Sequence, residues 1–158
     1  MVPDNEGDWS LEPQIKAAKA PNTAAALRMI DKSRILIDQQ KYEEALDNLE
    51  RAVSVDPANF YGYYYLAKAH REAHDYSQAI AFANRATALG ARAERVWLAR
   101  AYTLQGEIFE QVGRFSDARA AYQRAFNADP TSLAAYVGKN RLSPQQPPPT
   151  PIDEDPGY

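Results

Sequence analysis

Apolar side chains recur at three- and four-residue intervals from about Asn22 to about Leu142, and nowhere in that stretch do Val, Ile or Thr alternate with polar residues. The first pattern draws one apolar stripe along a helix; the second, which a half-buried strand needs, is missing. Ala, Leu, Arg, Gln and Glu, all ready helix formers, fill most other positions. The periodicity predicts three helix pairs, at about 23–39 with 42–55, 58–72 with 76–89, and 92–112 with 115–128, and a seventh, more polar helix over 131–141. Pro57 and Pro130 stop helices because proline lacks the amide hydrogen and clashes with the preceding turn, and Gly90 suits the left-handed residue after a helix end. Connections of two to four residues make chain neighbours antiparallel. The fold class is all-α.

Compared with itself, the same region superposes in three places: KYEEALDNLERAVSVDP, DYSQAIAFANRATALGA and RFSDARAAYQRAFNADP. Tyr42, Ala45 and Ala52 return 34 residues later as Tyr76, Ala79 and Ala86, and 39 residues after that as Phe115, Ala118 and Ala125. The second step therefore contains a five-residue insertion. Ala45, Ala79 and Ala118 fall on the inner face of the second helices, opposite Ser33, Ala67 and Gly106 on the first. Small side chains there let two helices approach closely, and the aromatic that opens each second helix fills the gap to the next unit.

These residues make the chain resemble the tetratricopeptide repeat family. The third unit carries the pattern most fully, in Tyr102, Gly106, Phe109, Gly113, Phe115, Ala118, Tyr122, Ala125 and Pro130; the second carries Tyr63, Leu66, Ala67, Tyr76, Ala79 and Ala86 but departs at His70 and Ala91. The first has Met29, Ser33 and Leu36 and is regular from Tyr42 to Pro57. The resemblance implies an α-solenoid of three helix-turn-helix repeats, about 26–59, 60–93 and 99–132, with a capping helix at 131–142, the whole domain spanning 22–142. It further implies a right-handed stack whose concave groove, lined by the first helices, takes peptides or protein segments. Mapped by repeat register, the groove receives Ile30, Arg34, Ile37 and Asp38, then Tyr61, Tyr64, Tyr65, Lys68 and Arg71, then Arg100, Thr103, Leu104 and Glu107. Arg34, Asp38, Tyr61, Tyr64, Tyr65, Lys68, Arg71, Arg100, Thr103 and Glu107 are the candidate partner-binding residues. Their basic stripe beside tyrosines is suited to an acidic segment or a C-terminal carboxylate. The two-carboxylate clamp of the family's chaperone-binding members is not reproduced. Ile30, Arg34, Tyr65 and Leu104 stand where that clamp needs other groups, so a chaperone-tail receptor is not expected.

Composition narrows the remaining choices. Among 158 residues the formal charge is −3, which leaves no cationic surplus for phosphates and speaks against nucleic acid as a partner. Without cysteine there is no disulfide and no thiolate site, and no apolar run reaches the ~20 residues of a bilayer span. His70 and His74 stand four apart on a helix, but without the adjoining Glu or third His of a zinc motif they read as a packed and a turn histidine. Glu43, Glu44, Glu107 and Glu110 read as solvated faces; no catalytic order or phosphate loop occurs, so no enzyme, metal or cofactor is expected. Residues 1–21 and the Pro-rich, acidic 143–158 bury too little to order themselves and are expected to be flexible tails. Within the second, Arg141, Pro144 and Pro147 match a polyproline-ligand spacing, although a plain spacer reads equally well. The function expected is an adaptor or scaffold that binds a protein segment in the groove. The alternative is a structural subunit of a larger complex, such as a membrane-associated bacterial machine, assembled through convex or terminal faces. A cytoplasmic site is expected, or a periplasmic or outer-membrane-associated one if a leader has been removed.

Overall fold

The computed structural model describes residues 8–143. Eight α-helices follow one another: α1 Glu12–Ala17, α2 Pro21–Asp38, α3 Tyr42–Val55, α4 Phe60–Glu72, α5 Tyr76–Ala88, α6 Arg95–Gln111, α7 Phe115–Ala128 and α8 Leu133–Arg141. A 3-10 turn, Gly90–Arg92, precedes α6, and the described residues contain no strand. Helices α2, α4 and α6 each pack on the helix that follows, α3, α5 and α7, and each of those packs on the next first helix, so that α8 stands as the first helix of an unfinished fourth unit. The first helices also touch one another along the stack.

The close pairing rests on the repeated small residues. Ala45, Ala52, Ala79, Ala86, Ala118 and Ala125 have no exposed surface, nor have Ser33 and Ala67 opposite them. One apolar core runs from Leu11, just before α1, into α6, with Leu49, Phe60, Tyr65, Leu66 and Ile108 fully buried, and a smaller one gathers Phe109, Ala121 and Tyr122 in the last unit.

Each pair is joined by the same turn. Gln40 (φ 61°), His74 (φ 62°) and Gly113 (φ 79°) adopt the left-handed conformation at matching repeat positions. The next residue, Lys41, Asp75 or Arg114, donates its N–H back to the carbonyl of Leu36, His70 or Phe109. This is the Schellman closure, which satisfies orphan carbonyls at a helix end. Only the third unit uses glycine there, the residue that adopts such a φ without strain.

The inserted residues have a definite place. Helix α6 ends in register with α4, Gln111 against Glu72, but begins one turn earlier, so the insertion both lengthens the connection and adds a turn to the front of α6. That turn carries Trp97, which is 2% exposed.

One expectation is corrected. Residues 8–20, expected to belong to a flexible segment 1–21, are ordered: α1 forms there, and Leu11 is 0% exposed. The local reason is a pair of short side-chain turns ahead of the helix. Asp8 accepts the Ser10 N–H (2.8 Å), the Ser10 hydroxyl accepts the Glu12 N–H (3.2 Å), and Pro13 sits in the first turn, where its missing N–H costs nothing. The tertiary reason is Trp9 and Leu11, which find an aromatic wall to bury against. Residues 1–7 and the Pro-rich tail from 144 onward, including the Pro144/Pro147 spacing, lie outside the described residues.

Two substitutions test these packing arguments. Gly106 in α6 faces the Tyr122 ring, where an added Cβ would come within 2.9 Å of ring carbons. Gly106→Ala is therefore expected to destabilise by ~1–3 kcal/mol through overpacking, although helix propensity alone assigns alanine a gain of ~1 kcal/mol; denaturant unfolding showing a gain would contradict this. At the exposed turn, Gln40→Gly is expected to stabilise by roughly 0.5–1 kcal/mol by relieving the left-handed strain, and a loss in the same measurement would count against the turn assignment.

Candidate functional site

The faces of α2, α4 and α6 that turn away from their partner helices form one wall. Helix α4 begins at Asn59, whose side-chain oxygen accepts the N–H groups of Tyr61 and Gly62, and this start sets Tyr61, Tyr64 and Tyr65 against the neighbouring helices. With Trp97 from the extra turn of α6 they build an edge-to-face cluster: Tyr61–Trp97 ring centroids are 5.1 Å apart, Tyr64–Trp97 5.7 Å and Tyr64–Tyr65 4.9 Å. Such arrangements set positive ring edges against negative ring faces.

The N-terminal segment lies on this wall. Trp9 meets Trp97 at 5.6 Å and 82° and Tyr64 at 6.4 Å. The Arg100 guanidinium sits 3.8 Å from the Trp9 ring centre and 4.6 Å from that of Trp97, and the Lys68 ammonium lies 5.3 Å from Trp9. Two cations thus face one indole, attracted by its quadrupole where water is largely excluded. Two residues on, the Leu11 N–H donates to Asp31 Oδ1 at 3.0 Å, and the same oxygen accepts from Arg34 Nε at 3.2 Å.

The structure brings most of the predicted groove residues onto the same wall but leaves few of them bare. Tyr61, Tyr64, Tyr65, Arg100, Ile30, Ile37 and Leu104 are buried; Arg34, Lys68, Arg71, Thr103 and Glu107 are half-buried; Asp38 is exposed. The basic stripe is also largely answered from within. Arg34 pairs with Asp31, Arg71 with Glu107 and Glu72, and Arg100 with the two indoles. Burial works against the charge of Arg71, but Glu107 and Glu72 outweigh it and hold the guanidinium protonated. Burial also lowers the Lys68 pKa, with Asp38 pulling the other way.

Beyond Thr103 and Glu107 the wall opens into a cleft of about 510 Å³ between the C-terminal ends of α4 and α6 and helix α8. Arg71, His74, Glu107, Glu110, Tyr122 and Arg141 line it. The Tyr122 hydroxyl donates to Glu110 at 2.5 Å, and Arg141 pairs with the same carboxylate. Charges of both signs thus meet in a space open to solvent.

The histidines take other places. The His70 ring stacks on Phe82 at 5.3 Å with Nδ1 3.6 Å from Asp75, and His74 Nδ1 meets the Tyr76 hydroxyl at 2.9 Å in the turn. No group of three potential metal-ligating side chains occurs among the described residues, and none of their helices is long and apolar enough to cross a membrane. Sequence reasoning misses Trp9, Leu11, Trp97 and Arg141 as groove residues. The first two carry a readable signal: an aromatic and an aliphatic residue two apart, followed by a Pro-bearing helix start.

The arrangement is that of a helical-repeat solenoid, three antiparallel pairs and a capping helix around a lined groove. A profile described as "TPR repeat" matches residues 34–73 and one described as "Tetratricopeptide repeat" matches residues 99–132. The chain thus carries tetratricopeptide repeats in these two segments. Among solved structures, it is similar to the first TPR of Spaghetti (RPAP3) bound to the HSP90 peptide SRMEEVD, with TM-score 0.68, 22% identity and coverage of 76% of this chain and 91% of that one. The N-terminal domain of stress-induced protein-1 (STI-1) from C. elegans gives TM-score 0.69 at 21% identity, covering 78% and 98%. The Arabidopsis OM64 TPR domain gives 0.68 at 23%, covering 77% and 96%. Comparison with curated proteins gives no match.

Burial raises the pKa values of Tyr61, Tyr64, Tyr65 and Tyr122, with the Glu110 hydrogen bond adding to the effect at Tyr122. Above pH 10 an unfolded chain would lose these protons while the folded one keeps them, so the folded state binds more protons and its stability falls as pH rises. A spectrophotometric titration should show these four ionising only together with loss of helical signal. A single non-cooperative step for all ten tyrosines would contradict the burial of the wall.

Proposed function

We propose that this chain is a non-catalytic interaction module, an adaptor that holds a partner protein by a segment laid along the concave wall. The observation that carries this reading is an irregular peptide segment already lying there: residues 8–11 of the chain itself, fastened by an indole and a leucine. A wall that buries one peptide has the chemistry to bury another. The partner enters through the open cleft, where Arg71 and Arg141 exchange the carboxylates of Glu107 and Glu110 for those of an acidic or C-terminal segment. Two similar structures are described with peptides ending in Glu-Glu-Val-Asp, SRMEEVD and SGPTIEEVD, which supports an acidic segment as the class of ligand. Ile30 and Leu104, both buried, occupy positions that would have to be polar for a carboxylate clamp of the chaperone-binding kind, so the acidic group is read at the cleft instead.

One further observation favours a second reading, assembly through a terminal face. On α8, Leu133 and Tyr136 are 58% and 52% exposed and lie outside the cleft lining, an apolar pair that another protein could cover.

The test begins with partners retained by the full-length chain from its native source. Arg71→Ala with Arg141→Ala is expected to weaken retention by about tenfold or more, since each charge-assisted hydrogen bond contributes ~1.5–3 kcal/mol, with helical content unchanged. Undiminished retention would contradict the groove reading; loss only on Leu133→Asp with Tyr136→Asp, neither of which lines the cleft, would favour the terminal face.

A further inference from the structure

The seat beneath residues 8–11 has properties that a permanent part of the core would not need. Helix α1 contains no fully buried residue, and the segment is fastened by the enclosed Leu11 and the half-buried Trp9, Ile15 and Ala18, with a backbone hydrogen bond from Leu11 to Asp31. The fit is also incomplete. Trp9 Nε1 and the Tyr65 hydroxyl are buried without a hydrogen-bond partner among the described residues. A buried donor left unmade carries the full cost of its lost hydration. An occupant whose aromatic ring has no N–H would avoid the first of these costs at the same site.

Chemistry on the wall defines what such an occupant looks like. An aromatic ring is received edge-on by Trp97 and tilted by Tyr64, with the Arg100 guanidinium over its face and the Lys68 ammonium nearby. An aliphatic side chain two positions later enters the fully enclosed Leu11 site, and the backbone N–H of that residue meets the Asp31 carboxylate. Resting on the groove reading above, we infer that this wall is a second peptide seat, specific for an aromatic residue followed two positions later by an aliphatic one. The chain's own Trp9-Ser10-Leu11 is its resident occupant, and a partner segment of the same pattern displaces it. The short link Ala18–Ala20 between α1 and α2 keeps the resident segment at high effective concentration. The open cleft therefore receives a partner first, and the covered seat is released only to a segment that competes.

The experiment uses the full-length chain, a Trp9→Ala/Leu11→Ala double variant of it, and a labelled synthetic peptide of residues 5–18, followed by fluorescence anisotropy. Saturable binding to the double variant, at least about tenfold weaker binding to the unmodified chain, and no binding of a peptide with both anchors changed to alanine are expected, given an effective concentration on the order of millimolar in cis. Equal binding to both proteins, or none to the double variant while it keeps its helical signal, would overturn the inference. Should the double variant lose its fold, the unmodified chain supplies the decision: a tryptophan-free peptide with Phe at the Trp9 position is expected to shift its tryptophan emission to the red as Trp9 leaves the wall, and an unmoved spectrum at saturating peptide would overturn the proposal. Either failure concerns only the covered seat, because the cleft is judged separately through Arg71 and Arg141.

Discussion

A wall of Tyr61, Tyr64, Tyr65 and Trp97 cannot stand bare in water, and its covering determines much else in this molecule. Burying one such ring contributes ~1.5–3 kcal/mol relative to leaving it exposed, so a continuous aromatic face is either an interface or a surface that the chain itself must close. Here residues 8–11 close it. From that one contact follow the order of the N-terminal segment, the burial of Arg100, and the division of the concave side into a filled region and an open cleft.

The wall exists only because the helices behind it are held close and in step. Alanines at fixed repeat positions bring each pair together, and the left-handed turn at Gln40, His74 and Gly113 closes each pair with the same hydrogen-bond pattern. Three copies of that geometry set three first helices side by side. The insertion before α6 breaks the copying at one point, and the added turn supplies Trp97, the ring that the other units lack. A departure from the repeat thus marks the place where the groove acquires its own specificity, as is common where function is grafted on a shared fold.

Most of the architecture is legible in the sequence because helix periodicity, small-residue positions and proline stops are local signals, and they recur; Gly90, expected in the left-handed conformation after α5, instead opens the 3-10 turn. Helices α3 and α7 begin and end where the periodicity places them; α4, α5, α6 and α8 begin within a few residues of it. The groove is less legible. Repeat register locates Tyr64, Lys68, Arg71 and Arg100 on the right helices, but register carries no information about what covers them. The N-terminal segment is the obstacle. Averaged over its length it is polar and proline-bearing, and an average hides two apolar residues, Trp9 and Leu11. The burial of Trp9 depends on Tyr64 in α4 and Trp97 in α6, rings that lie several helices further along the chain. Contacts at that separation leave no local pattern, whereas helix stripes do.

Nuclear magnetic resonance on the full-length chain, following Trp9 and the Leu11 amide, tests the covered wall most directly. Cross-relaxation between the Trp9 indole and the rings of Tyr64 and Trp97, together with slowed exchange of the Leu11 N–H that is bound to Asp31, is the predicted result. A Trp9 indole with no ring neighbours and a Leu11 amide exchanging as fast as in an unstructured peptide would contradict it.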